Sequence, residues 1–266
     1  MTGGSACDAA AIALRCLDLT SLNDGDDEAA VARLCARAQG RFGSVAAVCV
    51  WPRFAAFARR QLPASIRVAA VANFPTGSTD IDAALSDVRQ IADAGAQEVD
   101  LVLPWRALRD GDAPAADALL RAVREASAGL RLKVILETGE LQHDALIARA
   151  AMLALDAGAD LLKTSTGKTP QGATPAAAEC MLRAIDVHPR ACDRAGLKVS
   201  GGIRRVADAL PYIALCRQYL GEAALQPQRF GETWRPPRFR IGASSLLDDI
   251  EAVLGGTAAP TAPGSY

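Results

Sequence analysis

Short apolar, β-branched runs recur along the chain: "CLDLT" (16–20), "VAAVCVW" (45–51), "IRVAAVANF" (66–74) and "EVDLVL" (98–103). They continue as "LKVILET" (132–138), "DLLKTS" (160–165), "LKVSGG" (197–202) and "RIGASS" (240–245). Alanine-rich stretches of helical period separate them. Over 81–92, Ile81, Ala84, Leu85, Val88, Ile91 and Ala92 share one face, with aspartate and arginine on the other. Strand–helix alternation implies a parallel sheet, and eight units favour an α/β fold of the closed (β/α)8, or TIM-barrel, kind over an open doubly wound sheet.

A weak internal repeat agrees with the barrel. "DAGAQEVDLVL" (93–103) and "DAGADLLKTS" (156–165) share a helix end and a strand start. Gly95 and Gly158 read as glycines that stop a helix and turn the chain into a strand. Asp100 and Lys163 then stand at the same offset from these glycines, so equivalent strands would point both side chains the same way. No linker divides residues 1–255, which read as a single domain. Residues 256–266, rich in Gly, Pro, Ala and Thr, read as a flexible tail ending in Tyr266. The segment 221–239, with three prolines, reads as irregular.

Composition narrows the function. At 266 residues and half hydrophobic, the chain can bury a large core. A formal charge of −1 leaves no nucleic-acid footprint, and no apolar run approaches the ~20 residues of a membrane span. The N-terminus lacks a signal-peptide pattern, which points to the cytoplasm. Seven cysteines without a CxxC pair read as free thiols. The two histidines, His143 and His188, have no partner at metal-ligand spacing and read as solvated helix ends; no metal is expected. The chemistry must then come from Lys, Asp, Glu or Cys.

Charges inside barrel strands are costly unless paired or functional. Asp100, Lys163 and Lys198 break the apolar pattern, and Asp18 is a fourth candidate. An ordinary lysine is almost wholly protonated at pH 7 and cannot attack a carbonyl. Burial and a second ammonium both favour its neutral form, and an aspartate can hold the second cation and move protons. Two readings stay open at this level: a Schiff-base lysine with its activating partners, or solvated loop starts with aspartate as a helix cap. "SGGIRR" (200–205) and "GASS" (242–245) follow the last two strands, where (β/α)8 barrels commonly hold a phosphate. "STGK" (165–168) can add an N–H and Lys168. Glu137 and Glu140 of "ETGE" read as caps of the next helix, and Cys49 as a small core residue.

Over nearly its whole length the sequence resembles the class I 2-deoxyribose-5-phosphate aldolases. The matching pieces include "LDLTSLND" (17–24), "VCVWPRF" (48–54), "NFPTG" (73–77), "EVDLVLPWRAL" (98–108) and "LKVILETGEL" (132–141). "ADLLKTSTGK" (159–168), "LKVSGGIR" (197–204), "RIGASSLL" (240–247) and the terminal Tyr266 complete the pattern. The resemblance implies a barrel preceded by a short N-terminal helix and a cofactor-free, reversible aldol cleavage. It implies Lys163 as the Schiff-base lysine, Lys198 as the second lysine and Asp100 as the acid/base partner. Asp18 and Thr20 are implied to contact substrate, with Cys49 near the pocket. Gly167, Lys168, Gly201, Gly202, Ser244 and Ser245 match phosphate-binding elements, and Tyr266 a tyrosine assisting proton transfer. The expected partners are a sugar phosphate and acetaldehyde, with homodimeric assembly. A transaldolase-like enzyme and a non-catalytic phosphosugar-binding barrel are the alternatives.

Overall fold

Eight strands run parallel and close on themselves in sequence order: β1 (Leu17–Thr20), β2 (Ala47–Val50), β3 (Arg67–Ala72), β4 (Glu98–Val102), β5 (Arg131–Ile135), β6 (Leu161–Lys163), β7 (Gly196–Ser200) and β8 (Phe239–Ala243). The computed structural model describes residues 6–230 and 233–257, with backbone alone for 229–230 and 233–235. The closed barrel predicted from the alternation is therefore present, and the open sheet is not. Helix α1 (Ala6–Cys16) precedes β1, as the resemblance implied.

A main helix follows each strand: α2 (Glu28–Arg37), α3 (Pro52–Gln61), α4 (Ile81–Asp93), α5 (Ala113–Ala126), α6 (Asp144–Asp156), α7 (Pro175–Val187), α8 (Val206–Leu220) and α9 (Leu246–Leu254), with short helices Trp105–Arg109 and Thr138–Leu141 ahead of α5 and α6. Their ends obey local chemistry. Asp27, Asp80, Asp112 and Thr174 each accept a hydrogen bond from an N–H of the first turn of α2, α4, α5 and α7. Gly95 and Gly158 leave α4 and α6 with φ of 72° and 96°, the left-handed turn predicted for both.

Strand residues alternate between two environments. Leu17, Leu19, Val48, Val50, Val99, Leu101, Leu132, Val134, Leu162, Leu197 and Ile241 join the large apolar layer between barrel and helices. The intervening positions face the barrel interior. There Cys49, Ala69 and Val71 form a small apolar patch with Leu22. A cluster of charges fills much of the rest: Asp18, Glu98, Asp100, Lys133, Lys163, Lys198 and Arg240 are all buried.

The segment read as irregular contains a 3-10 turn (Glu222–Leu225) and two short antiparallel strands, Gln228–Phe230 and Thr233–Arg235. Tyr266 lies outside the described residues. Among the described residues, no helix is long and apolar enough to cross a membrane.

Candidate active site

Asp100, in the middle of β4, is the hub of the buried charges. Its Oδ2 lies 2.8 Å from Lys163 Nζ and 2.7 Å from Lys198 Nζ, and its Oδ1 lies 2.6 Å from Lys133 Nζ. Strand register brings these groups together: Asp100 pairs with Lys133 across β4–β5, and Lys163 with Lys198 across β6–β7. Asp18 of β1 forms an ion pair with Lys198 at 2.6 Å, and its other oxygen accepts from Arg240 Nε at 2.6 Å. Glu98 holds Lys133 at 2.6 Å and Arg240 at 3.1 Å. The equal offset of Asp100 and Lys163 from their glycines did place both side chains inward.

Charge balance separates the three buried lysines. Burial pushes the Asp100 carboxyl up, but Lys133, Lys163 and Lys198 outweigh it and hold it well below the usual range. Asp18 is likewise lowered, because Arg240, Lys198 and Lys133 overcome its burial. Glu98 comes down to about 2, its burial outweighed by Arg240 and Lys133. Three carboxylates thus stay ionised. Burial favours neutral lysine everywhere in the interior, yet Lys198 and Lys133 end up raised because each faces several carboxylates. Lys163 ends up lowered: burial is the main cause, Asp100 opposes it, and the Lys198 ammonium adds to it. With Lys163 neutral, Lys133, Lys198 and Arg240 balance Asp18, Glu98 and Asp100. A fourth buried cation would be uncompensated, which a low-dielectric interior penalises.

A cavity of about 330 Å³ lies at the C-terminal end of the barrel, and of the three buried lysines Lys163 is the one that lines it. Thr20 lines its β1 side, donating its hydroxyl to the Asp18 carbonyl at 2.8 Å. The loop after β6 contributes Gly167 and Lys168, the loop after β7 Gly201 and Gly202, and the β8–α9 turn Ser244 and Ser245. All six residues matched to phosphate-binding elements therefore face one cavity, with the amine at its floor. The β6 and β7 loops touch directly: Ala173 N–H donates to the carbonyls of Ser200 and Gly201, both at 3.1 Å.

Two predicted contact residues lie deeper than the cavity wall. Asp18 is fully buried beneath it, occupied by Lys198, Lys133 and Arg240. Cys49 sits in the inner apolar patch with Sγ 3.9 Å from Asp100 Oδ2. Burial and then the Asp100 charge push its thiol up, so it stays protonated, as a core cysteine would.

Reasoning from sequence passed over Lys133, Glu98 and Arg240. A signal existed: Glu98 stands two residues before Asp100 on the same strand face, and "LKVILET" repeats the lysine placement of "LKVSGG". The pairing of Arg240 with Asp18 had none, since 222 residues separate them. Two further expectations are corrected. The Glu137 side chain caps no helix but takes hydrogen bonds from the loop after β6. His188 is buried rather than solvated, its Nε2 3.3 Å from Asp156 Oδ1, because the end of α7 packs beside the end of α6. No group of metal-ligating side chains occurs among the described residues.

A family model described as the DeoC/LacD family aldolases matches residues 12–246. A deoxyribose-phosphate aldolase of Agrobacterium fabrum is 43% identical over 263 residues, covering 97% of this chain and 96% of that one. Among solved structures, a Coccidioides immitis chain provisionally assigned as a deoxyribose-phosphate aldolase superposes with a TM-score of 0.76. It is 28% identical, covering 91% of this chain and 86% of the other. A tetrameric deoxyribose phosphate aldolase from Aeropyrum pernix shares the fold at a TM-score of 0.68 and 23% identity, with coverage of 94% and 93%.

Proposed function

Because the chain belongs to the DeoC/LacD aldolase family, we propose that its barrel cleaves 2-deoxy-D-ribose 5-phosphate reversibly to D-glyceraldehyde 3-phosphate and acetaldehyde, with Lys163 as the Schiff-base lysine. The observation that carries the assignment is the position of Lys163. It joins the buried charge cluster to a cavity whose far side is built of glycine turns, Lys168 and a serine pair.

The roles follow from that arrangement. Lys163 Nζ, neutral, attacks C1 of the open-chain aldehyde, and loss of water gives the protonated imine. Asp100 accepts the proton that leaves Nζ during addition and returns it to the carbinolamine oxygen; a second proton, delivered from solvent, lets that hydroxyl leave as water and is released again when the product imine is hydrolysed. A base then takes the C3 hydroxyl proton, the C2–C3 bond breaks, and its electron pair moves into the iminium to form an enamine. Asp100 and Lys198, with a bridging water, carry that proton to C2 of the enamine. Hydrolysis then releases acetaldehyde and frees the amine. The Lys198 ammonium holds Asp100 ionised and keeps Lys163 unprotonated. The glycine loops and Ser244–Ser245 turn bind the 5-phosphate through backbone N–H groups, hydroxyls and Lys168.

Seven free thiols support a reducing compartment, and the cytoplasm is the proposed location. The proposed homodimer is to be checked by light scattering. The chemistry is tested by borohydride reduction in the presence of acetaldehyde. Inactivation with an ethyl group on Lys163 is expected. A label on another lysine, or none, would overturn the assignment.

A further inference from the structure

Glu137 is a buried carboxylate for which the reaction has no use. It stands at the C-terminal end of β5, fully buried, with φ 57° and ψ 59°. A residue with a Cβ seldom adopts that left-handed conformation, and it persists where surrounding contacts over-determine it. Those contacts all come from the loop after β6. Thr166 N–H lies 3.2 and 3.3 Å from the two carboxylate oxygens, Thr166 Oγ1 donates at 2.6 Å and Thr169 Oγ1 at 3.3 Å. Nearby, Gly139 abuts Gln171 so closely that a Cβ would fall 2.6 Å from its carbonyl oxygen. The "ETG" turn and the "TSTGK" loop are therefore one packed unit.

Burial raises the Glu137 carboxyl, and its hydrogen bonds from Thr166 and Thr169 oppose that rise; in its ionised form the group is acceptor-only and dictates where the loop's protons point. The Thr166 hydroxyl must direct its proton at Glu137. Its lone pairs then face the other way, and one accepts Lys168 N–H at 3.0 Å. This chain of bonds runs from Glu137 through Thr166 to the backbone of Lys168. Thr166, Gly167 and Lys168 line the cavity, whereas Glu137 does not. A side chain that sits behind the wall and bonds to Thr166 of the wall and to the adjoining Thr169 shapes the cavity without lining it.

We infer that Glu137 is a positioning residue for the phosphate end of the cavity, holding the Thr166–Lys168 turn in the anion-receiving conformation and so setting the preference for phosphorylated over unphosphorylated sugar. This rests on the function proposed above. The Thr166 and Lys168 N–H groups are engaged by Glu137 and by Thr166 Oγ1, while Gly167 and Lys168 line the cavity.

The test compares 2-deoxyribose 5-phosphate with unphosphorylated 2-deoxyribose. Glu137→Ala is expected to raise KM for the phosphorylated sugar about tenfold, the loss of one charge-assisted hydrogen-bond set, with kcat changed less than about threefold. The kcat/KM for 2-deoxyribose should stay within about twofold of wild type, and inorganic phosphate should inhibit more weakly. Glu137→Gln, which keeps one acceptor, should recover part of the KM. Thr166→Val breaks the same chain at its second link and should show the same split, which decides the matter if Glu137→Ala does not fold. Equal losses on both sugars, or unchanged KM in both Glu137→Gln and Thr166→Val, would overturn the inference while leaving the aldolase assignment standing. A wild-type protein inactive on both sugars would overturn both.

Discussion

Lys163 and Lys198 share one acceptor: their Nζ atoms lie 2.8 and 2.7 Å from the same oxygen of Asp100. Two ammonium groups held that close would repel strongly in a buried site. The other carboxylates resolve the conflict unequally. Asp18 also holds Lys198, at 2.6 Å, while Asp100 is the one carboxylate among the described residues in ion-pair contact with Lys163. Lys198 is therefore raised by Asp100 and Asp18, while burial and the Lys198 ammonium lower Lys163.

That asymmetry predicts opposite stability effects. Lys163→Met leaves three carboxylates facing three cations and should change unfolding free energy by less than about 1 kcal/mol. Lys198→Met or Lys133→Met strands a buried carboxylate and should cost about 3–5 kcal/mol, on the order of 10 °C in Tm. Calorimetry on the three variants tests it. Equal destabilisation by all three would mean that Lys163 is charged in the native state.

The pH dependence of activity carries a second sign. Lys163 is lowered from its ordinary value, so kcat/KM should fall as pH drops through that lowered value and the amine becomes protonated. Lys198→Met removes a neighbouring cation and raises Lys163. The acid limb of any residual activity should move to higher pH. A limb that stays in place would show that Lys198 does not tune the amine.

Acid stability depends on the carboxylates. Glu98 is lowered from 4.5 to about 2 in the fold. A lowered folded-state value contributes stability that is complete above the unfolded value and lost as pH falls through the folded one. Asp18 and Asp100 shift the same way. Urea unfolding should therefore show stability declining from about pH 4.5 towards pH 2. A profile flat across that window would sink the ionised-cluster account.

Gly172 should be intolerant of a side chain. A Cβ there would lie 2.4 Å from the carbonyl oxygen of Gly201, whose own φ of 88° suits glycine. Gly172→Ala must push the β7 loop away from the β6 loop. The expected result is a KM for phosphorylated substrate raised about tenfold and a stability loss of about 1–3 kcal/mol. Wild-type KM in this variant would mean that the contact between the loops does not shape the anion site.

Much of this protein was legible along the chain. The eight strands and intervening helices follow from apolar periodicity, because periods of 2 and 3.6 arise within a single element and need no distant partner. Asp100 and Lys163 stood out as charges interrupting apolar strands, and the glycine turns marked the last two loops. Lys133, Glu98 and Arg240 did not, since at a strand's first few positions such residues look like ordinary solvated ends. Barrel closure alone sets β1 against β8, bringing Asp18 to Arg240, and register alone sets Lys163 beside Lys198. Ionisation is a property of that assembled cluster. Sequence determined which charges enter the barrel, and tertiary structure decided which lysine is lowered and which are raised, because buried charges must balance over neighbours that the chain brings together only by folding.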